Sequence, residues 1–212
     1  NHLAPDFVAG LNNGRLLPVA DTRYALVALP DDPTPSRLGD VFFSIMTAGY
    51  RPILANPERL TWLRTHYDLI RLLARRGVWL QVTSGSVTGI FGGEARYWAE
   101  RMLCDGLVHI LASDARHANG SSSHLSEAYN HVTKIVGSQE AERLLRTRPL
   151  AVMSNQSPPE IDLPPALCDE TNIARTERPL IAYQAKLLKD KLGDGRRLAN
   201  GASSWMRGLF LG

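Results

Sequence analysis

The chain has 212 residues, 44% of them hydrophobic and 21% charged, with a net charge of only +3 from 24 basic and 21 acidic side chains. This composition excludes wholesale disorder, and no window approaches the roughly 18 to 20 apolar residues that cross a bilayer. Nor is there an electrostatic footprint for nucleic acid, and two cysteines, Cys104 and Cys168, make neither a disulfide framework nor a zinc knuckle. They read as reduced thiols of a cytoplasmic protein.

In chain order, Tyr24–Leu29 is a short apolar run closed by Pro30 and predicts a buried strand. Residues 36–48 carry Leu38, Val41, Phe42, Ile45 and Met46 at helical spacing, with Gly49 placed to stop the helix. Arg51–Ala55 predicts the second strand and Asn56–Arg59 a loop. A helix over about 66–76 ends at Gly77, and Val78–Thr83 is the third strand. The Gly- and Ser-rich stretch 84–93 reads as a loop before a helix over about 94–104. Leu107–Ala112 predicts the fourth strand. A polar loop and helices over about 124–136 and 139–147 follow.

Four strand–helix units in succession imply parallel strands with right-handed crossovers. The strands are nearly continuous apolar runs, as in sheets covered on both faces. The fold class is therefore α/β, either doubly wound or part of a barrel. Both architectures place active sites at the C-terminal strand ends. That rule directs attention to Pro30, Asn56–Arg59, Ser84–Phe91 and Ser113–His117.

Three domain segments are expected: an α/β domain over 1–153, a Pro-rich acidic linker over 154–177, and a basic helical tail over 178–212. The linker carries five acids and one base, the tail seven bases and two acids. The tail ends in Ser203–Leu211, an aromatic and basic stretch. It reads either as a terminus packed on the domain or as a weak membrane-surface contact.

The strand ends read together carry the strongest signal. They are Ile53-Leu54-Ala55-Asn56-Pro57-Glu58-Arg59, then Leu80-Gln81-Val82-Thr83-Ser84-Gly85-Ser86-Val87-Thr88-Gly89-Ile90-Phe91-Gly92, then Val108-His109-Ile110-Leu111-Ala112-Ser113-Asp114-Ala115-Arg116. Gly14-Arg15-Leu16-Leu17, Arg23-Tyr24, Ala48-Gly49-Tyr50 and Ser126-Glu127-Ala128 add to them. With these motifs the chain, from about residue 4 to 153, resembles the bacterial metal-dependent tyrosine-protein phosphatases of capsule and exopolysaccharide operons. Those belong to the polymerase-and-histidinol-phosphatase (PHP) superfamily.

The resemblance implies a distorted (β/α) barrel of the PHP type, incomplete here at the N-terminus. It implies hydrolysis of phosphotyrosine by water activated on a Mn-like divalent metal cluster, which supplies hydroxide near neutral pH. The implied partner is a tyrosine-phosphorylated protein, a polysaccharide-synthesis kinase, and not a nucleic acid. A homo-oligomer would cover the sheet edge that missing strands leave open.

This chain departs from the family pattern at several ligand positions. The family's His-x-His strand and a ligand Glu would fall upstream of Asn1. The Glu before Pro30 is Ala28, the loop His is Asn56, and the second residue of the Asp-x-His pair is Arg116. A phosphate-binding Arg aligns with Ser121, while Asp114 and Arg59 are retained. Asn56 is a weaker ligand than imidazole. Arg116, two residues past Asp114, is expected to pair with it and put a fixed cation where a metal would sit.

The expected site is thus Arg59 and Asp114 as catalytic residues, and Arg59, Arg116, Ser84 and Ser86 as substrate-binding ones. Asp114 is the candidate metal ligand, with Asn56 and His117 as weak ones. Each has a plainer alternative: a helix cap for Asp114, a surface ion pair for Arg59, a solvated loop histidine for His117, and a tight connection for Ser84–Ser86. His109 reads as a core histidine and Cys104 as a core thiol. His66, His124 and His131 have no ligand-like partner spacing. A metal-free pseudophosphatase that binds phosphoproteins is the alternative function.

Overall fold

A computed structural model describes residues 3, 6–29, 35–113 and 121–168. A short helix α1 (Phe7–Asn12) precedes strand β1 (Tyr24–Ala28). The chain then alternates through α2 (Pro35–Thr47), β2 (Arg51–Ala55), α3 (Leu63–Arg75) and β3 (Trp79–Thr83). Next come α4 (Ser84–Val87), α5 (Gly93–Cys104), β4 (Ile110–Ala112) and α6 (Ser121–Val136). Helix α7 (Ser138–Glu142), a π-helical turn (Arg143–Thr147) and α8 (Arg148–Met153) close the series.

The four strands form one parallel sheet in the order β1-β2-β3-β4. Spatial order follows chain order, with no reversal. Alternation along the strands separates two apolar layers. Val27, Leu54, Leu80, Val82 and Leu111 pack in one core with Phe42 and Ile45 of α2, Ile70 and Leu73 of α3, and Ala99 and Met102 of α5. Tyr24, Ile53, Trp79 and Ile110 point the other way, against Ala151, Val152 and Ile161. The crossover helices therefore all lie on one face. This singly wound arrangement differs from a doubly wound sheet, which needs a switch point with helices on both faces.

Three differences from the sequence reading have physical causes. The fourth strand is shorter than 107–112, because His109 uses its side chain where a ladder would use backbone. Its Nδ1 accepts the Leu80 amide at 3.1 Å while its own N–H donates to the Leu80 carbonyl at 2.9 Å. The stretch 84–93 opens with the turn of helix α4, capped by Thr83, whose Oγ1 accepts the Ser86 amide at 3.3 Å. The helix expected over 139–147 is instead α7, a π turn and α8. Pro149 in the first turn of α8 lacks the amide that would continue the ladder from α7.

The start of the expected linker is packed, not free. Asn155 Oδ1 accepts from the amide and Nε of Arg23 at 2.9 and 3.0 Å. Tyr24 Oη donates to the Gln156 carbonyl at 2.8 Å, and Ile161 is buried. The described part of 154–177 is thus a strap on the face of the sheet opposite the crossover helices, beside α8. Cys104 is exposed instead of sitting in the core. Met102 and Leu103 take the buried positions of that last turn and leave Cys104 facing outward. The tail over 178–212 lies outside the described residues.

Candidate active site

The C-terminal ends of the four strands meet along one rim. Ala28 pairs in register with Ala55, Ala55 with Gln81, and Thr83 with Ala112. Ala28, Ala55 and Ala112 are partly exposed and offer no polar side-chain atom, so they floor the rim with small apolar groups.

After β2 the backbone turns sharply. Asn56 is left-handed (φ 52°, ψ 44°), a conformation that asparagine tolerates better than most residues. Its amide donates to the Gln81 carbonyl at 2.9 Å, which ties the turn to β3. Pro57–Arg59 then forms a single 3-10 turn. The turn sends its two charged residues in opposite directions.

Glu58 points inward and is 1% exposed. Its Oε1 accepts from the Thr83 amide (3.1 Å), Thr83 Oγ1 (3.0 Å) and Ser86 Oγ (2.7 Å). Burial raises its carboxyl above the ordinary range, and the Ser86 and Thr83 hydrogen bonds oppose that rise. Arg59 points outward. Its guanidinium carbon lies 4.5 Å from the centroid of the Phe91 ring, over the ring.

Phe91 owes its position to glycine. A Cβ on Gly85 would lie 2.5 Å from Phe91 Cε2, so only a residue without one lets the ring settle there. The Phe91 amide donates to the Gly85 carbonyl at 3.3 Å. The motif Ser84-Gly85-Ser86, expected to bind substrate, forms the first turn of α4. Ser84 and Ser86 are both buried, and Ser86 serves Glu58.

Of the expected site residues, Arg59, Asn56, Ser84 and Ser86 meet at this rim. Asp114, Arg116 and His117, and with them the expected Asp114–Arg116 pair, lie outside the described residues, as does the side chain of Ser121. The sequence reading missed Glu58 and Phe91. An acid between Pro57 and Arg59, facing the hydroxyls of Thr83 and Ser86, was the available signal for the first. Nothing local marked the second.

The remaining described histidines sit apart from the rim. His109 is fully buried and stacks on Trp79 at 4.9 Å. Burial, with the Arg148 charge adding to it, holds its pKa well below the usual histidine value. His131 Nε2 lies 2.8 Å from Glu100 Oε1, a partner the spacing did not reveal. His66 Nδ1 lies 2.7 Å from Thr65 Oγ1.

Among the described residues, no group of three or more His, Cys, Asp or Glu side chains could hold a metal ion. Among the described residues, the one acid at the rim is Glu58, which is turned inward, and the ends of β1, β2 and β4 are alanines. The described donors therefore do not fit a divalent ion by themselves.

A singly wound parallel sheet, with crossover helices on one face and an arginine-bearing turn at its strand ends, defines an α/β protein. The particular family follows from comparison with known proteins. Residues 2–154 match the family described as capsular polysaccharide synthesis, CpsB/CapC, and the chain belongs to that family. It is 34% identical over 141 residues to the tyrosine-protein phosphatase YwqE of Bacillus subtilis, covering 63% of this chain and 56% of the relative. Against the putative tyrosine-protein phosphatase CapC of Staphylococcus aureus it is 28% identical over 154 residues, covering 73% of this chain and 60% of the relative.

Among solved structures it resembles that described under YwqE from Bacillus subtilis and CpsB from Streptococcus pneumoniae, unique metal-dependent tyrosine phosphatases. The TM-score is 0.70 at 30% identity, over 77% of this chain and 65% of that one. The chain thus spans less than two thirds of the length of these relatives. Among the described residues, no helix is long and apolar enough to cross a membrane.

Proposed function

We propose that this chain is a phosphotyrosine-recognising, tyrosine-protein-phosphatase-like protein of capsule or exopolysaccharide synthesis. The four strands are read as an arc of a PHP-type barrel, and the rim as its phosphate-binding end. The observation that carries this is the placement of Arg59. It stands at the end of β2, fixed by a left-handed Asn56 on one side and the Phe91 ring on the other. A guanidinium is a planar fork of N–H donors that matches phosphoryl oxygens. The substrate class is a tyrosine-phosphorylated cytoplasmic protein, such as a polysaccharide-synthesis kinase.

In the family's chemistry, a divalent metal cluster supplies hydroxide for hydrolysis. What the described residues contribute is binding: Arg59 offsets phosphoryl charge, and the alanine floor leaves room for a ring. A second reading is favoured by Ala28 and Asn56, which stand where the family resemblance expects an acid and an imidazole. In that reading the protein is a pseudophosphatase that binds phosphoproteins without turnover.

The deciding experiment measures metal content of the purified chain after incubation with Mn²⁺, together with turnover and binding of a phosphotyrosine peptide. Bound metal with turnover supports the hydrolase. Peptide binding without metal or turnover supports the pseudophosphatase. Absence of both binding and turnover overturns the proposal.

A further inference from the structure

We propose that the groove between α4, α5 and α6 binds a small hydroxylated carboxylate, the size of a single sugar acid. The groove shares no lining residue with the strand-end rim, so the proposal stands or falls apart from the phosphotyrosine reading.

The groove encloses roughly 210 Å³. Pockets for drug-sized ligands run from about 300 to 1,000 Å³, so this one suits a single sugar ring. Its lining is polar: Thr88 after α4, Arg96 of α5, and Glu127, Asn130, His131 and Lys134 of α6. The last four stand at i, i+3, i+4 and i+7, which puts them on one face of the helix. Two of the walls are fixed to each other. Glu100 Oε1 accepts from Arg96 Nε at 2.8 Å and lies 2.8 Å from His131 Nε2, so one carboxylate ties α5 to α6. Arg96 also runs along Gly89, where an added Cβ would meet its Cδ at 3.6 Å. The site is therefore held in shape before a ligand arrives.

The unspent groups name the ligand. With Nε engaged, Arg96 keeps its terminal nitrogens as donors. The side chains of Glu127, Asn130 and Lys134 make no hydrogen bond or ion pair among the described residues. Glu127 and Lys134 thus carry opposite charges on one helix face without pairing. Arg96 and Lys134 together attract an anion, while Glu127 and Glu100 oppose a second negative charge. A carboxylate fits that balance better than a phosphate dianion. The remaining groups suit hydroxyls. Glu127 accepts, Asn130 donates and accepts, and Thr88 Oγ1, which donates to the Ser84 carbonyl at 3.0 Å, still has a lone pair to offer.

The test is a ¹H–¹⁵N NMR titration of the full chain and of the variants K134M, E127Q and R64M. The ligands are D-glucuronate, D-glucose, acetate and D-glucose 6-phosphate, each to about 50 mM. Glucuronate is expected to shift the Thr88 and Asn130 amides with a millimolar Kd. Glucose lacks the charge and acetate lacks the hydroxyls, and each should bind at least about tenfold more weakly. K134M should weaken glucuronate about tenfold. R64M removes an exposed cation of α3 outside the groove and should leave binding unchanged. E127Q should strengthen glucose 6-phosphate relative to glucuronate by about threefold, because it removes a charge that opposes the dianion.

Groove amides indifferent to glucuronate overturn the proposal. So does acetate binding as tightly as glucuronate, which would make the groove a general anion trap. K134M binding as tightly as the wild type overturns it as well. All three substitutions fall on exposed side chains, so the folded spectrum is retained and a loss of binding reports on the groove itself.

Discussion

Glu58 Oε1 and Ser86 Oγ lie 2.7 Å apart, joining the turn after β2 to the first turn of α4 beneath the site. The same oxygen takes the Thr83 amide and hydroxyl, while Oε2 is buried with no hydrogen-bond partner among the described residues. Burial favours the neutral carboxyl, and the three donors on Oε1 offset part of that preference.

The first prediction concerns that carboxyl. E58A orphans the Thr83 amide and should cost about 2 to 3 kcal/mol, read by urea unfolding. E58Q keeps the acceptor and should cost less than about 1 kcal/mol. The pH dependence has a definite sign. The folded-state pKa is raised above 4.5, so the native state holds the proton longer than the unfolded chain. The stabilisation is complete below 4.5 and is lost as pH rises through the folded pKa. Wild type should therefore lose stability relative to E58Q as pH rises above 4.5. Parallel curves for the two proteins would refute the account.

Gly85 is the subject of the second prediction. G85A places a Cβ 2.5 Å from Phe91 Cε2, closer than van der Waals contact allows, so the ring must move. The substitution should cost about 1 to 3 kcal/mol, as overpacking does. It should also displace the ring from Arg59, visible as a change in the Arg59 Nε–H resonance. G93A has no neighbour within 4 Å of its added Cβ and should leave that resonance in place.

The strands and most helices were legible because period and punctuation agreed. Arg51–Ala55 appears with the expected ends, and Gly77 stops α3 where a helix end was read. Which side chains share a layer was not legible, because nearly continuous apolar strands carry no alternation to read. What was not legible depends on contacts far apart in sequence. Glu58 looks like a surface acid until Thr83 and Ser86 come beneath it, 25 and 28 residues away. Ser84 and Ser86 looked open to a substrate because their burial is a tertiary fact. The strap after residue 153 looked like a linker because its Pro-rich composition suits both a tether and a packed, extended segment. Only its bonds to Arg23 and Tyr24 distinguish them.

The third prediction tests the support beneath the sheet. Arg148 is fully buried, with Nη1 2.7 Å from Glu140 Oε1 and Nε 2.7 Å from the Asp162 carbonyl. Arg143 reaches Asp162 at 3.0 Å and Glu140 at 3.5 Å. Breaking a buried pair from one side strands the other charge. E140A should therefore cost about 3 to 5 kcal/mol in urea unfolding. R148M keeps a long apolar side chain and leaves Glu140 with Arg143 at 3.5 Å, so it should cost less. The reverse ranking would mean that the pair contributes little beyond packing.

The last prediction concerns His109. Burial is the main reason its pKa lies well below the ordinary 6.5, and the Arg148 charge pushes it the same way. Its Nδ1 accepts the Leu80 amide, so the neutral ring with hydrogen on Nε2 is the form the fold uses. In the unfolded chain the ring takes a proton near 6.5, while the folded protein resists it. The sign is thus opposite to that at Glu58. The stability is fully present above 6.5 and drains as pH falls below it, by at most about 1.4 kcal/mol per pH unit. H109N offers an amide oxygen where Nδ1 sits and carries no titrating ring. Between pH 7.5 and 5 its urea midpoint should fall less than that of the wild type. Equal falls would show that His109 already titrates normally in the folded protein, and that Arg148 and the surrounding core do not hold it neutral.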